Sequence, residues 1–293
     1  MVQVRKCIVR DTAGGKCDSL EIEFENAAGW YSWGPEEDDT IVVAHKGYDS
    51  GVMFVNSVIP EDGKYRIIAT SLPCKARAKG YQSFHEKTLK DIIKACAMAS
   101  GMSYKLLGVE GDVMIPYIER EYEGCAAFLN RLLSLEGAVL KCVNGNYAAI
   151  GIDYAQERNA LQTAVISAQQ TGVQYFRNGQ KYRSITVRTP YAKATAIDEL
   201  VSSSHAQVTI NYLPASNDLQ AKRWACGKLL WINRQCESVV IKSEFNAAMT
   251  AMNRVDIVSD TDASGNWVVA EVEHDLFNET STTTLNRCIV SIV

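Results

Sequence analysis

Every second residue is apolar over long parts of the first 78 residues, which is the pattern of half-buried β-strands. In the segment DSLEIEFEN (18–26), three apolar residues alternate with three glutamates. Neighbouring side chains of a strand point to opposite faces, so the apolar residues share one face and the glutamates the other. Similar runs, separated by the turn signals GYDSG and PEDG, fill residues 40–71. Short strands at this spacing favour a small barrel or sandwich, and we predict a first β domain over residues 1–78.

The hydrophobic period changes to that of a helix within residues 79–152. In KTLKDIIKACAMASG (87–101), apolar residues recur at i, i+3, i+4 and i+7, which predicts a helix with one buried stripe. Thr88, with an aspartate three positions later, is a capping-box-like start, and Gly101 is a C-terminal stop. The segment EGCAAFLNRLLSLEG (123–137) repeats the helical pattern. We therefore predict an inserted α/β module over 79–152 with two helices.

The remaining chain is predicted to return to β structure after a hairpin and a connector. Asn144-Gly145, between two β-prone runs, is a strong signal for a type I′ hairpin and completes the helix–helix–hairpin module. Residues 153–180 are predicted to be a connector of mixed character, and residues 181–293 a second β domain with one helix over about 217–235. One face of that helix is predicted to carry Leu219, Cys226, Leu229 and Leu230.

Composition limits the classes of function. The chain has 293 residues, 47% of them hydrophobic and 22% charged, with a formal net charge of −4. A mildly acidic chain of ordinary globular composition argues against a dedicated nucleic-acid binder, so no sequence-specific nucleic acid is expected as a partner. The N-terminus lacks the apolar core of a signal peptide, and no apolar run approaches the ~18 residues of a membrane span. We expect a soluble chain made in the cytosol, without a membrane partner.

Cysteine and histidine positions predict neither a disulfide framework nor a metal site. The nine cysteines are scattered singly without a C-x-x-C pair, and several have apolar neighbours, which favours reduced, buried thiols. The four histidines do not fall at metal-ligand spacing. Phosphate-loop, dinucleotide-binding, zinc-protease and nucleophile-elbow motifs are absent. We expect no catalytic residue, no cofactor and no metal.

The pair His274-Asp275 in NWVVAEVEHDLFNETSTTTLNRC (266–288) raises the question of acid–base chemistry. Adjacent residues of a regular strand point to opposite faces, so an aspartate cannot orient the histidine beside it. We predict a buried, hydrogen-bonded histidine at the end of an apolar face that also carries Val268 and Ala270. The whole segment is predicted to be a pair of strands that closes the second β domain. Its polar stripe toward water or a neighbouring subunit contains Glu271, Glu273 and Asp275.

Two further charged groups have competing interpretations. Glycosidases need two carboxylates that flank a substrate bond, and a spacing of two would align Glu119, Glu121 and Glu123 on one strand face. Acidity before a helix N-terminus explains Glu121 and Glu123 more simply. The segment CKARAKG (74–80) places three cations on one face if it is extended. These could meet phosphates or a carboxylate row on another domain or subunit, and the net negative chain favours the second. They are Lys75, Arg77 and Lys79.

The order of these parts resembles one protein family. The pieces that carry the resemblance are DSLEIEFEN, GYDSGVMFVNSV, CKARAKGYQSF feeding KTLKDIIKACAMASGM, IEREYEGCAAFLNRLLSLEGAVLKCVNGNYAAI, LQAKRWACGKLLWINRQ and the final strand pair. They resemble the late-control-D family, the hub proteins at the base of contractile phage tails. Hubs of phage-tail-like bacteriocins and the N-terminal half of type VI secretion VgrG spikes are similar. The resemblance covers nearly the whole chain, and its most specific piece is the middle.

The resemblance implies a structural function. It implies an α+β chain with two small antiparallel β-barrel domains and the inserted module, three copies of which form a ring. Such a homotrimer adapts a sixfold tail tube to a threefold central spike and continues the channel, without enzymatic activity. Implied partners are the spike protein, the tube protein or tube initiator and other baseplate proteins. Assembly in the bacterial cytoplasm and release with a phage tail or tail-like particle are implied as well.

One alternative stays open at the level of sequence. TLKDIIKACAMASGMSYKLL (88–107) faintly resembles the peptidoglycan-binding LysM pattern, and tail tips often carry wall hydrolases. The chain could therefore be a cell-wall-acting tail-tip protein, either peptidoglycan-binding or hydrolytic. Clearing of bacterial walls that is lost on substitution of Glu119 or Glu121 would favour that function.

Overall fold

The computed structural model describes residues 3–25, 29, 32–61, 63–167 and 171–293. Asp62 of the predicted PEDG turn and residues 168–170 of the predicted connector lie outside this part. Across the described residues the chain is a mixed α+β fold, dominated by strands and containing five helices. The predicted α+β class is therefore confirmed.

Strands are the main regular structure of the first 78 residues where they are described. Their alternating pattern is visible in β2 and β7, in which every second side chain is buried. The elements are β1 (Val4–Thr12), β2 (Ser19–Glu25), β3 (Thr40–Ile41), β4 (Ala44–His45), β5 (Tyr48–Asp49), β6 (Met53–Glu61), β7 (Lys64–Thr70) and the short helix α1 (Cys74–Arg77).

The inserted segment contains both predicted helices and the predicted hairpin. The Thr88 hydroxyl accepts a hydrogen bond from the Asp91 amide at 3.1 Å, which caps α2. Asn144 and Gly145 both have positive φ, 46° and 69°, as a type I′ turn requires. The strand pair β8–β10 and the strand β9 were not predicted. The elements are β8 (Gly80–Thr88), α2 (Leu89–Ala99), β9 (Ser103–Leu107), β10 (Met114–Glu123), α3 (Cys125–Leu135), β11 (Ala138–Val143), β12 (Asn146–Gly151) and α4 (Ile152–Glu157).

The last part of the chain contains the predicted helix, and strands also occur where a connector was predicted. Residues 153–180 contribute two of them, β13 and β14. Leu219 is 77% exposed, so its predicted place on the buried face of the helix is wrong, and Trp224 is fully buried instead. The elements are β13 (Gln162–Ile166), β14 (Val173–Arg177), β15 (Ser184–Arg188), β16 (Lys193–Ile197), β17 (Gln207–Ile210), α5 (Asp218–Asn233), β18 (Glu237–Glu244), β19 (Arg254–Ser259), β20 (Gly265–Asp275) and β21 (Thr280–Arg287).

Strands from both ends of the chain share one eleven-stranded sheet. Its hydrogen-bonded order is β14-β18-β21-β20-β1-β2-β7-β6-β3, and β19 with β13 branches from β20. The antiparallel pair β1–β20, in register from Ile8 opposite Asp275 to Thr12 opposite Glu271, joins the two β regions. The predicted boundaries at 78, 152 and 180 stay predictions, as does the closure of two barrels.

A β-bulge in β20 explains how the sheet branches. Before Ala270, β20 pairs with β19, and after it β20 pairs with β1. The extra residue shifts the alternation, so Trp267 and Val269 share a core with Val272. The prediction that Val268 and Ala270 continue the face of His274 is therefore wrong before the bulge.

A buried ion pair connects the inserted segment to the sheet. Lys141 of β11 contacts the carboxylates of Asp11 in β1 and Asp18 in the following loop. Asp11 also accepts a hydrogen bond from the Ala251 amide at 3.1 Å. Because a buried ammonium group is costly without partners, this contact holds three distant parts of the chain in one arrangement.

Two three-stranded mixed sheets, each covered by helix, lie beside the large sheet. The first helix–sheet module consists of sheet β11-β12-β9 with α2 and α3, and the second of sheet β16-β15-β17 with α5. In each, the central strand has one antiparallel and one parallel neighbour. Gly227 of α5 lies against the Leu135 carbonyl, where a Cβ would come within 2.1 Å, so a glycine allows the two modules to touch.

Candidate interaction surfaces

One face of the large sheet carries charges whose sign changes from strand to strand. The period-two pattern buries one set of side chains and leaves the other partly exposed on four neighbouring strands. We call this set the charged sheet face. It consists of Lys64 and Arg66 on β7, Glu21, Glu23 and Glu25 on β2, Lys6 and Arg10 on β1, and Glu271 and Glu273 on β20.

Ion pairs cross the strands on the first half of this face. Lys6 Nζ lies 2.8 Å from a carboxylate oxygen of Glu21, and Lys64 Nζ lies 3.1 Å from Glu23. Arg66 approaches Glu21 from the other side, at 3.6 Å. The hydrogen bond from Lys6 lowers the pKa of the Glu21 carboxyl, so this group stays ionised well below neutral pH.

The same pattern continues across the junction between the two halves of the sheet. Arg10 of β1 lies 2.7 Å from Glu273 of β20, and Lys16 lies 3.0 Å from Glu271. Glu271 and Glu273 thus lie on one face, each with a cation of the same chain. Asp275 accepts hydrogen bonds from the amides of the turn that follows β20. Exposed pairs add little to stability, so their main effect is to fix a hydrated, charge-balanced surface.

The cationic partners on β1 and β7 were missed in the sequence. The signal was present, because Lys64 and Arg66 alternate with buried Tyr65 and Ile67. Period two identifies which residues share a face. It does not reveal that β7 and β1 flank β2, since strand order depends on tertiary pairing.

The predicted basic strand is a short helix. Pro73 precedes α1, and its fixed φ of −66° suits a helix start, so residues 74–77 coil instead of extending. Arg77 pairs with Glu37 at 3.0 Å, and Lys79 lies over the Tyr122 ring at 5.3 Å. Lys75 is exposed. The prediction that these three cations share one strand face is therefore wrong, and no ion pair among the described residues joins them to the Glu271 stripe.

Two exposed tyrosines lie near the basic segment. Tyr81 of β8 is 76% exposed and Tyr122 of β10 is 61% exposed, and their ring centroids are 5.7 Å apart. Tyr122 has a positive φ of 49° at a bulge between β10 and β8. With Lys79, which lies over the Tyr122 ring, these tyrosines form a surface of apolar and cationic character, which we call the Tyr–Lys patch.

The three glutamates considered for glycosidase chemistry are engaged with their own chain. They lie on β10, and a carboxylate oxygen of Glu119 accepts a hydrogen bond from the Tyr117 hydroxyl at 2.5 Å. Glu123 pairs with Arg131 at 2.6 Å. A hydrogen bond to Glu119 raises the pKa of Glu121. A groove of about 440 Å³ runs beside them.

His274 is a packing residue. It is fully buried, its Nδ1 lies 2.9 Å from the Ser281 hydroxyl, and its Nε2 lies 3.1 Å from the Met249 carbonyl. Burial lowers the pKa of the imidazole, so it is neutral at physiological pH. Both ring nitrogens are occupied, and Asp275 lies on the opposite face as the alternation predicts.

Other classes of site find no support in the described part of the chain. No group of three or more metal-ligating side chains is arranged to hold an ion there. All nine cysteines are free thiols, five of them buried. None of the described helices is long and apolar enough to cross a membrane.

Comparison with solved structures gives matches over the full length of the fold. A tail protein from Neisseria meningitidis MC58 superposes with a TM-score of 0.75 at 12% identity, covering 98% of this chain and 96% of the other. The 43 kDa tail protein of prophage MuSo2 from Shewanella oneidensis gives 0.69 at 11% identity, with 97% of both chains covered. The E. coli c3393 protein, a type VI secretion component similar to phage T4 tail proteins, gives 0.60 at 11% identity, covering 99% and 74%.

Comparison of the sequence with protein-family models and with curated proteins gives no significant match. At 11–12% identity the structural matches show a shared fold. The predicted resemblance to proteins of phage tails and type VI spikes is thereby confirmed at the level of the fold.

Proposed function

We propose that this chain is the structural hub of a contractile tail or injection baseplate. The observation that carries the proposal is the match over 98% of this chain and 96% of the tail protein from Neisseria meningitidis. The proposed role is mechanical: three copies form a ring that joins a sixfold tail tube to a threefold spike and continues the channel. Assembly in the bacterial cytoplasm and release within the particle belong to the same proposal.

The charged sheet face supports a place beside water. Its carboxylates and cations neutralise one another within the chain, as Arg10 with Glu273 and Lys64 with Glu23 illustrate. Burying such pairs under another protein would cost desolvation energy without adding new partners. We propose that this face borders the hydrated channel, where balanced charges hold neither nucleic acid nor a passing polypeptide.

The Tyr–Lys patch has the opposite character and supports a place at a subunit seam. Tyrosine is enriched in the cores of protein interfaces, and the two exposed rings can be buried with their hydroxyls at a wet rim. Lys75 is exposed and has no carboxylate partner in the described chain. We propose that Lys75, Arg77 and Lys79 face carboxylates of a neighbouring subunit, which is the kind of partner that the sequence predicts for them.

Co-expression with the spike and tube proteins tests the hub directly. We expect a particle whose mass includes three copies of this 32.3 kDa chain, measured by light scattering after size-exclusion chromatography. A chain that stays monomeric with both partners present would contradict the proposal.

Charge reversal tests the seam separately. The double variant Lys75→Glu/Lys79→Glu should reduce the trimer fraction about tenfold or more, because like charges would then meet across the seam. Lys90→Glu/Lys94→Glu makes the same charge change on exposed positions of α2 and should leave assembly intact. Equal losses in both variants would remove the seam assignment while leaving the hub proposal standing.

A further inference from the structure

A polar cavity of about 340 Å³ lies where the β1–β2 loop, the end of α5 and the strands β20 and β21 meet. Its wall includes Gly14 and Lys16 of the loop, Trp231 and Arg234 from the end of α5, and Glu271 of β20. Lys16 and Glu271 of this wall also form the ion pair at the edge of the charged sheet face. The cavity lies at the junction of both halves of the chain.

Arg234 is the unusual group in this wall. Only 4% of the residue is exposed, and its Nη1 atom has no hydrogen-bond acceptor. No carboxylate in the described chain forms an ion pair with it. Its guanidinium carbon lies 5.7 Å from the centroid of the Trp231 ring, which is its described side-chain contact. A buried guanidinium is therefore left without a counter-charge.

Arg234 stays charged at neutral pH, and the neighbouring thiol does not balance its charge. Burial lowers the pKa of Arg234 to about 10, so the group is still protonated at neutral pH. Burial also raises the pKa of the neighbouring Cys288 thiol to about 11, so that group stays neutral and supplies no negative charge. Arg234 caps the C-terminus of α5, where the helix dipole contributes a partial negative charge. That partial charge does not provide the missing acceptor for Nη1.

The remaining lining can bind an anion as well. Lys16 lies at the rim and is 3.0 Å from Glu271, so the three charged groups of the wall sum to a net positive charge. The Thr12 hydroxyl is buried in the same wall and also lacks a hydrogen-bond partner. Amide side chains of Asn178 and Asn286 complete the polar surface. Two unpartnered polar groups thus border a single cavity.

The backbone on the opposite wall fits this arrangement. Gly14 has a φ of +82°, and a Cβ at this position would lie 2.8 Å from the Trp231 ring. A glycine therefore lets the loop approach the tryptophan closely, and the ring lies beneath Arg234. The charged group is held by packing on one side and faces the cavity on the other.

We propose that this cavity binds an oxyanion, a phosphate or carboxylate group, with Arg234 as its central ligand, Lys16 as its rim cation and Thr12 as a hydroxyl donor. The proposal does not depend on the hub function. A bound oxyanion satisfies Nη1 with a charge-assisted hydrogen bond, the strongest kind that a guanidinium forms. It also ties the β1–β2 loop, α5 and the large sheet together.

Calorimetric titration of the purified chain with inorganic phosphate, and separately with acetate, tests the site. We expect one anion site per chain, with saturation accompanied by a rise in the thermal midpoint. Tighter binding of phosphate would identify a phosphate site, and tighter binding of acetate a carboxylate site. Absence of binding of either anion at tens of millimolar would overturn the proposal.

Three variants connect the binding to the named residues. Arg234→Met preserves the volume and removes the charge, and we expect at least about tenfold weaker binding. Lys16→Met, on an exposed side chain that folding does not require, should weaken binding severalfold and keeps the test valid if Arg234→Met does not fold. Arg188→Met, on an exposed arginine outside the cavity, should leave affinity unchanged. Equal affinity in Lys16→Met and the unmodified chain would also count against the site.

Discussion

The two helix–sheet modules have the same local architecture and different interiors. In the first, the helices α2 and α3 present large aliphatic and aromatic side chains to the sheet, and those of Ile92, Phe128 and Leu132 have no exposed surface. In the second, the single helix α5 packs Trp224, Leu229 and two alanines against the sheet, and five of the eleven buried apolar residues in the cluster are alanines. The first interior is therefore filled by side-chain volume, and the second has much less apolar volume available.

In the second module, hydrogen bonds between buried polar groups compensate for the smaller apolar volume. Asn233 at the end of α5 donates to the Asp198 carboxylate at 2.8 Å and to the Tyr182 carbonyl at 2.9 Å. The Tyr182 amide donates back to the Asn233 side chain at 2.8 Å. Asp198 also accepts a hydrogen bond from Ser291 near the C-terminus. A buried polar network of this kind specifies one arrangement, provided that every member keeps its partners.

The difference teaches that one architecture can be stabilised in two ways within a single chain. An apolar interior tolerates changes of shape but is sensitive to lost volume. A polar interior is sensitive to the loss of any one partner, because the group left behind stays desolvated. Substitutions in the two modules should therefore differ in size and in how far their effects spread.

The largest effect is expected from removing volume in the first module. Leu132→Ala deletes a side chain with no exposed surface and leaves a cavity between α3 and its sheet. We expect a loss of about 3–4 kcal/mol in the free energy of unfolding, measured by urea denaturation. Leu219→Ala on α5, where the leucine is 77% exposed, is the control and should cost less than about 0.5 kcal/mol. A small effect of Leu132→Ala would mean that the first interior is loosely packed.

An intermediate effect is expected from breaking the polar network of the second module. Asn233→Ala removes two donors and one acceptor and leaves Asp198 with fewer partners. We expect a loss of about 2–3 kcal/mol. Amide exchange provides a second measurement, because the C-terminal Val293 and Ile197 exchange hydrogen bonds at 2.9 Å beside this network. Faster exchange at both amides in Asn233→Ala, and unchanged exchange in Leu132→Ala, would separate the two kinds of interior.

The same contrast determines what could be predicted from the sequence. The first module is predictable from apolar spacing, the Thr88 cap and the Asn144-Gly145 turn, because all three are local signals. The second module was assigned to a barrel, because β16 and the role of Asn233 depend on partners distant in the sequence. The amphipathicity of α5 is weak, so Leu219 was placed on the wrong face.

The interaction surfaces follow the same rule. Period two placed Glu271 and Glu273 on one face correctly, and separated His274 from Asp275. It failed for Lys75, Arg77 and Lys79, because Pro73 starts a helix where alternation suggests a strand. The cavity beside Arg234 joins three elements brought together by tertiary folding, and no local pattern marks it.

The smallest effects, and the finest test of the comparison, are expected at the helix caps. The Thr88 hydroxyl accepts from the Asp91 amide at 3.1 Å, and the Asn217 side chain accepts from the Gln220 amide at 2.9 Å. Because a cap satisfies an orphan amide of its own helix, Thr88→Ala and Asn217→Ala should each cost about 1 kcal/mol by urea denaturation.

Equality of the two cap effects is the informative outcome, because the interiors behind the caps differ. Buried Gln220 also accepts a hydrogen bond from the Ser216 amide at 2.9 Å, whereas the first amides of α2 donate to the backbone carbonyls of Val113 and Gly111. If Asn217→Ala costs several times more than Thr88→Ala, the polar network of the second module extends along α5 from Asn233 to its first turn. If the costs agree, that network is confined to the end of α5, and the two caps stabilise their helix starts equally.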